Sequence, residues 1–197
     1  MSVAPASWPA VVWASRPTPV SVGIELGVTY QRDWRYDLHM THIQARCLIL
    51  ACGNSLRGDD GVGLWLAEWA EQRFSAQAGV RVLADHQWTP ELAEDVARAQ
   101  SVLFIDCSLD SKPGSLNLTP VKPVSSSPEH NTHHLGAAEL FALGRELYNS
   151  LPHDALQLTI GAASIEFGEA FSPAVTAALP DACRMIEETV LRFLNIQ

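Results

Sequence analysis

No apolar run in this chain is longer than a short strand. The stretch Cys47-Leu-Ile-Leu-Ala-Cys52 is typical of the longest, far below the ~20 residues a bilayer-spanning helix needs. The first thirty residues hold one basic residue, Arg16, and no hydrophobic segment of signal-peptide length, so a cytoplasmic protein is expected. Blocks of Lys or Arg are missing too. The formal net charge of −9 argues against a phosphate-binding surface, and against nucleic acid as a partner. The four cysteines (Cys47, Cys52, Cys107, Cys183) form no C-x-x-C pair, which argues against a disulfide or zinc framework and for reduced, buried thiols. There is no G-x-S-x-G elbow, no H-E-x-x-H helix, no placed Cys/His nucleophile pair and no internal repeat.

What is present is the composition of a globular protein. Of 197 residues, 47% are hydrophobic and 18% charged, enough for one domain with a full core and an appendage. Residues 1–40 read differently from the rest. They are rich in Pro, Ser, Val and Trp, without a clean helical or strand period, and are expected to be a poorly ordered extension. Residues 1–39 carry three basic and three acidic side chains, so the whole negative excess lies beyond them. Met40, just ahead of the first strong strand pattern, reads as a candidate natural start. Residues 41–197 then form the α/β domain.

From Arg46 onward the pattern becomes regular. Residues 47–52 are a continuous apolar run, as in a strand buried on both faces. A polar, Gly-rich loop follows, and then Val62, Trp65, Leu66, Trp69 and Ala70 repeat at helical spacing to about Phe74. Residues 80–84 form a second strand. Thr89-Pro90-Glu91 opens a helix, with Thr as N-cap and Pro at the first helical position. Residues 102–105 form a third strand ending at Asp106, and residues 115–118 a short edge strand. A further helix buries Ala137, Leu140, Phe141, Gly144, Leu147 and Tyr148, followed by a strand over 156–160. Ser172-Pro173 starts the last helix, interrupted or kinked at Pro180, with Leu179, Cys183, Ile186, Val190 and Leu194 inward. This alternation predicts an α/β three-layer sandwich: a mostly parallel, twisted sheet of about five strands with helices on both faces.

Ligand sites in such sheets lie beyond the carboxyl ends of the strands. Three segments reach that edge with polar residues. In Gly53-Asn-Ser-Leu-Arg-Gly-Asp-Asp-Gly-Val-Gly63 the glycine spacing differs from a dinucleotide loop, and Asp59 and Asp60 sit where a phosphate would need bare amides. These two acids either cap the helix or serve a site, and two flanked by glycines exceed what capping needs. Asp106 ends a hydrophobic strand. His130, His133 and His134 lie within five residues, which is either a solvated loop or a source of one imidazole. Carboxylates plus imidazole are a hard O/O/N donor set, suited to a divalent first-row ion with open positions.

These residues resemble the hydrogenase maturation proteases. The pattern strand-G-N-x-L-x-x-D-D/E-G-x-G-helix is met by Gly53, Asn54, Leu56, Asp59, Asp60, Gly61 and Gly63. Asp106 then matches the strand-end Asp, and His133 the histidine before a helix. The likeness runs from about Cys47 to the C-terminus. It implies nickel ligands at Asp60, Asp106 and His133, with His134 as the adjacent alternative. It also implies an aspartic-type endopeptidase, a monomer, that trims the C-terminal tail of a nickel–iron hydrogenase large-subunit precursor. The nickel would arrive on the substrate's cysteines rather than reside in the protease. Activated water is the default nucleophile, with Asp85 or Asp59 as helpers. The segment 85–92 and Ser172-Pro173 look like the branch serving soluble bidirectional hydrogenases. Two departures stand out. Ala51 occupies a usual glycine, and its methyl is expected to shift the loop slightly. Of the D-G-G-T often found after the second strand, only Asp85 remains.

Overall fold

A computed structural model describes residues 45–122, 135–168 and 170–195. The proposed extension at 1–40 and the histidine tract therefore lie outside the described residues. Five strands carry the fold: β1 (Cys47–Cys52), β2 (Val80–Asp85), β3 (Ser101–Ser108), β4 (Leu116–Pro120) and β5 (Asp154–Gly161). They form one sheet in the order β2-β1-β3-β5-β4. All neighbouring pairs are parallel except β4, which runs antiparallel along β5 at the edge.

Strand alternation sorts the core into two layers. Cys47, Ile49 and Ala51 of β1, with Leu103 and Ile105 of β3, face a cluster built by α1 (Val62–Arg73) and α4 (Pro173–Phe193). Leu48, Leu50 and Cys52, with Val102 and Phe104, face the opposite cluster, built by α2 (Ala93–Arg98) and α3 (Ala137–Tyr148). This is the expected sandwich, with helices on both faces of a mostly parallel sheet. The four cysteines are free thiols. Among the described residues, no helix is long and apolar enough to cross a membrane.

Several details depart from expectation. β3 runs on past Asp106 to Ser108, because Cys107 and Ser108 keep their register with Ile160 and Gly161 of β5. Thr89 makes no side-chain cap; the chain enters α2 through a 3-10 turn, Pro90–Leu92. Leu147 and Tyr148 are 61% and 43% exposed, on the last turn of α3. Helix α4 is not interrupted at Pro180, which lies within it. That proline is exposed, so water can serve the carbonyl its ring leaves unpaired. Ala51 is fully buried in β1, in register with Ala84 and Ile105.

Two glycines let β1 turn tightly into α1. A Cβ on Gly53, whose φ is +148°, would lie 2.0 Å from the Asp60 carbonyl oxygen, and one on Gly63 would lie 2.1 Å from the Cys52 carbonyl oxygen. Both approaches are to backbone, which cannot swing aside. Gly63→Ala is therefore expected to destabilise the protein by about 2–3 kcal/mol in urea unfolding, at the upper end of overpacking costs. A loss below about 0.5 kcal/mol would mean that the turn yields freely.

Candidate functional site

The chain leaves β1 for β2 on one side and then crosses back to β3 on the other. The direction of winding thus reverses at the carboxyl ends of β1 and β3, where open α/β sheets build their sites. Asp60 reaches this edge from the 3-10 turn Gly58–Gly61 between β1 and α1, and Asp106 from β3 itself. Asp85 ends β2 beside Cys52. Its carbonyl accepts from the Gly53 amide at 3.2 Å, and its carboxylate from the His86 amide at 2.7 Å.

Asp60 and Asp106 come close enough for the charge of one to act on the other. Burial raises the Asp106 pKa above the ordinary carboxylate value, and the Asp60 charge adds to it. Hydrogen bonds from the Cys52 thiol and the Cys107 amide work in the opposite direction without reversing the shift. The Cys107 amide bond is 2.7 Å long. A carboxylate held at this energetic cost beside a second acid is what a cation-seeking site looks like. Among the described residues, no group of three or more His, Cys, Asp or Glu side chains is arranged to hold a metal ion. His133, with His130 and His134, lies outside them. The chemistry of the two carboxylates suits a hard divalent cation.

Asp59 takes a different course from its neighbour. Neither acid caps α1, whose N-cap is Gly61 with no side-chain hydrogen bond. Asp59 turns inward and is 1% exposed. Its Oδ1 accepts from the Ser172 amide at 2.6 Å, and its Oδ2 from the amides of Ala163 at 2.7 Å and Ser164 at 3.4 Å. Burial alone would raise its pKa, yet these amides overcome burial and the net shift is downward. The same two loops are laced by backbone bonds, Gly58 N to Gly168 O at 2.6 Å and Asp59 N to Ser164 O at 3.2 Å. Asp59 thus ties the loop after β1 to the one leading into α4, and both its oxygens are committed to that task.

Two residues at the edge were read from sequence only as core thiols. Cys107 donates its S–H to Asp60 Oδ1 at 3.3 Å, and the Cys52 thiol lies close enough to Asp106 to interact with it. Burial drives both thiol pKa values far above the ordinary range, and the neighbouring carboxylates push the same way. Neither is a thiolate nucleophile at neutral pH. Their adjacency to motif residues, Cys52 before Gly53 and Cys107 after Asp106, was the available signal.

Fold and edge together define the class: a doubly wound α/β protein with paired carboxylates at its switch point. No protein-family model and no curated protein sequence matches the chain. Solved structures do. The chain is similar to the hydrogenase maturating endopeptidase HybD from E. coli, at 23% identity and a TM-score of 0.60, over 75% of this chain and 92% of that one. It is similar also to an endopeptidase from Escherichia coli solved in solution, at 20% identity and a TM-score of 0.58, over 77% and 95%. A third is the nickel–iron hydrogenase maturation protease HycI from Thermococcus kodakarensis, at 21% identity and a TM-score of 0.56, over 73% and 91%. The chain has the fold of these endopeptidases.

Proposed function

We propose that this chain is an endopeptidase of hydrogenase maturation, which removes the C-terminal extension of a nickel-loaded large-subunit precursor. The observation that carries the reading is the placement of Asp60 against Cys107, the residue after Asp106, at the switch point, in a fold shared with solved maturation endopeptidases. Nickel belongs to the substrate in this reading. It arrives on the precursor's cysteines, and Asp60, Asp106 and His133 supply the donors those cysteines leave open. The protease thereby tests for metal insertion before it cuts. The ion orients the tail and can polarise the scissile carbonyl as a Lewis acid. Water is the nucleophile, with Asp85 at the same edge as the candidate to take its proton; the commitments of Asp59 to three amides leave it the supporting part. The enzyme would work as a cytoplasmic monomer.

The test is incubation of the purified protein with precursor, with and without nickel. A shortened large subunit and a released tail peptide, seen by mass spectrometry from the nickel-loaded substrate alone, are the expected outcome. A precursor that binds but keeps its length would make the chain a nickel-binding chaperone and overturn the peptidase reading.

A further inference from the structure

The two acids at the switch point are each matched to a thiol. β3 places consecutive side chains on opposite faces of the sheet. Phe104, two residues before Asp106, faces the α2 and α3 layer, whereas Cys107 packs against the α1 and α4 layer. Asp60 stands at the end of the sheet just before α1. The Cys107 thiol reaches its Oδ1 at 3.3 Å, and among the described residues this is the only side-chain hydrogen bond the carboxylate makes. Cys52 of β1, which is 8% exposed, lies close enough to Asp106 to act on its pKa.

We propose that Cys107 is a positioning residue: its S–H fixes the rotamer of Asp60, so that Oδ2 stays available for the incoming cation. The inference rests on Asp60 being a metal ligand, as proposed above. A free Asp side chain samples several rotamers, and a carboxylate two bonds from its backbone swings its oxygens by ångströms between them. One donor on Oδ1 removes that freedom and, being neutral, leaves the negative charge for the cation. A serine hydroxyl in its place can still donate, whereas valine fills the volume and donates nothing. Groups that orient a metal ligand in this way carry roughly 10–100-fold in metal affinity.

Calorimetric titration of the full chain with nickel ion alone, on wild type, Cys107→Val, Cys107→Ser and Asp60→Ala, tests this. Cys107→Val is expected to weaken nickel binding about 10–100-fold, with Cys107→Ser recovering most of the loss. Asp60→Ala should weaken it at least as much. If Asp60→Ala leaves affinity unchanged, the ligand assignment itself has failed. If Asp60→Ala weakens binding but Cys107→Val does not, only the positioning role is lost. Cobalt substitution separates the remaining possibility, since a thiolate-to-metal charge-transfer band that disappears in Cys107→Ser would make Cys107 a ligand and overturn the proposal. Infrared spectroscopy gives a check that needs neither metal nor activity. The S–H stretch of Cys107, assigned by its loss in Cys107→Ser, should move to higher frequency in Asp60→Ala, and a band that does not move would mean the hydrogen bond is absent.

Discussion

Asp59→Asn should lose about 3 kcal/mol of folding stability at neutral pH, although the replacement differs by one atom in shape. The carboxylate is 1% exposed and accepts from three backbone amides, those of Ser172, Ala163 and Ser164. Hydrogen bonds to a charged group contribute about 1.5–3 kcal/mol each when they are lost with the partner still buried. An amide can satisfy only one side of this bracket; its NH2 must face either the Ser172 amide or the pair from Ala163 and Ser164, donor against donor. A protein of this length drops about 2–4 °C in Tm per kcal/mol, so thermal unfolding should shift down by roughly 6–12 °C. The pH dependence carries a definite sign. The folded-state pKa of Asp59 is lowered, because the three amides outweigh burial. Its contribution is thus fully present above the unfolded Asp value of about 3.9 and is lost as pH falls through the folded value. The stability gap between wild type and Asp59→Asn should be constant from pH 7 to about 5 and close below about pH 4. A gap that stays constant down to pH 3 would show that the charge is not what holds the two loops together.

The order of elements was legible because it rests on periodicities that tertiary contacts reinforce. The apolar run over 47–52 buries both faces of β1, and Val62, Leu66 and Ala70 share the face of α1 that meets the sheet. The carboxyl edge was legible for the same reason, since a polar residue closing a buried strand has nowhere else to go. The failures sit where a neighbour decides. Leu147 and Tyr148 repeat correctly for burial, but the helical period does not say how far along α3 its neighbours cover that face. Pro180 carries a strong helix-breaking signal, yet an exposed position lets the helix continue. Asp59 and Asp60 are chemically identical and adjacent. Which one turns inward depends on amides more than a hundred residues away, and that information is not local. The two thiols were read as core because strand cysteines ordinarily are, and only the register of β1 and β3 brings them to the carboxylates.

Asp106→Asn should abolish precursor processing while leaving the fold as stable as before or slightly more so. These two readouts normally fall together for a buried polar residue, and their separation is what makes the experiment informative. The folded state disfavours ionised Asp106, through burial first and the Asp60 charge beside it, so a neutral isostere relieves a cost at pH 7. Its remaining oxygen still accepts from the Cys107 amide, so that backbone donor stays satisfied. What the variant loses is the negative charge that a cation on the substrate would meet. Loss of one ligand from the proposed set of three should slow trimming by at least about 100-fold, equivalent to about 2.7 kcal/mol of barrier. His133→Ala, which removes the third proposed donor, is expected to give the same loss. The measurement is the rate of tail release from nickel-loaded precursor, set beside the Tm of each variant. Wild-type rates in both variants would remove Asp106 and His133 from the site. A Tm that collapses in Asp106→Asn would instead place its carboxylate among the groups that hold the fold, as Asp59 is. Proteins keep a destabilised charge where function needs it and relieve it elsewhere, and for Asp106 the expected pairing of lost activity with retained stability is the mark of the first case.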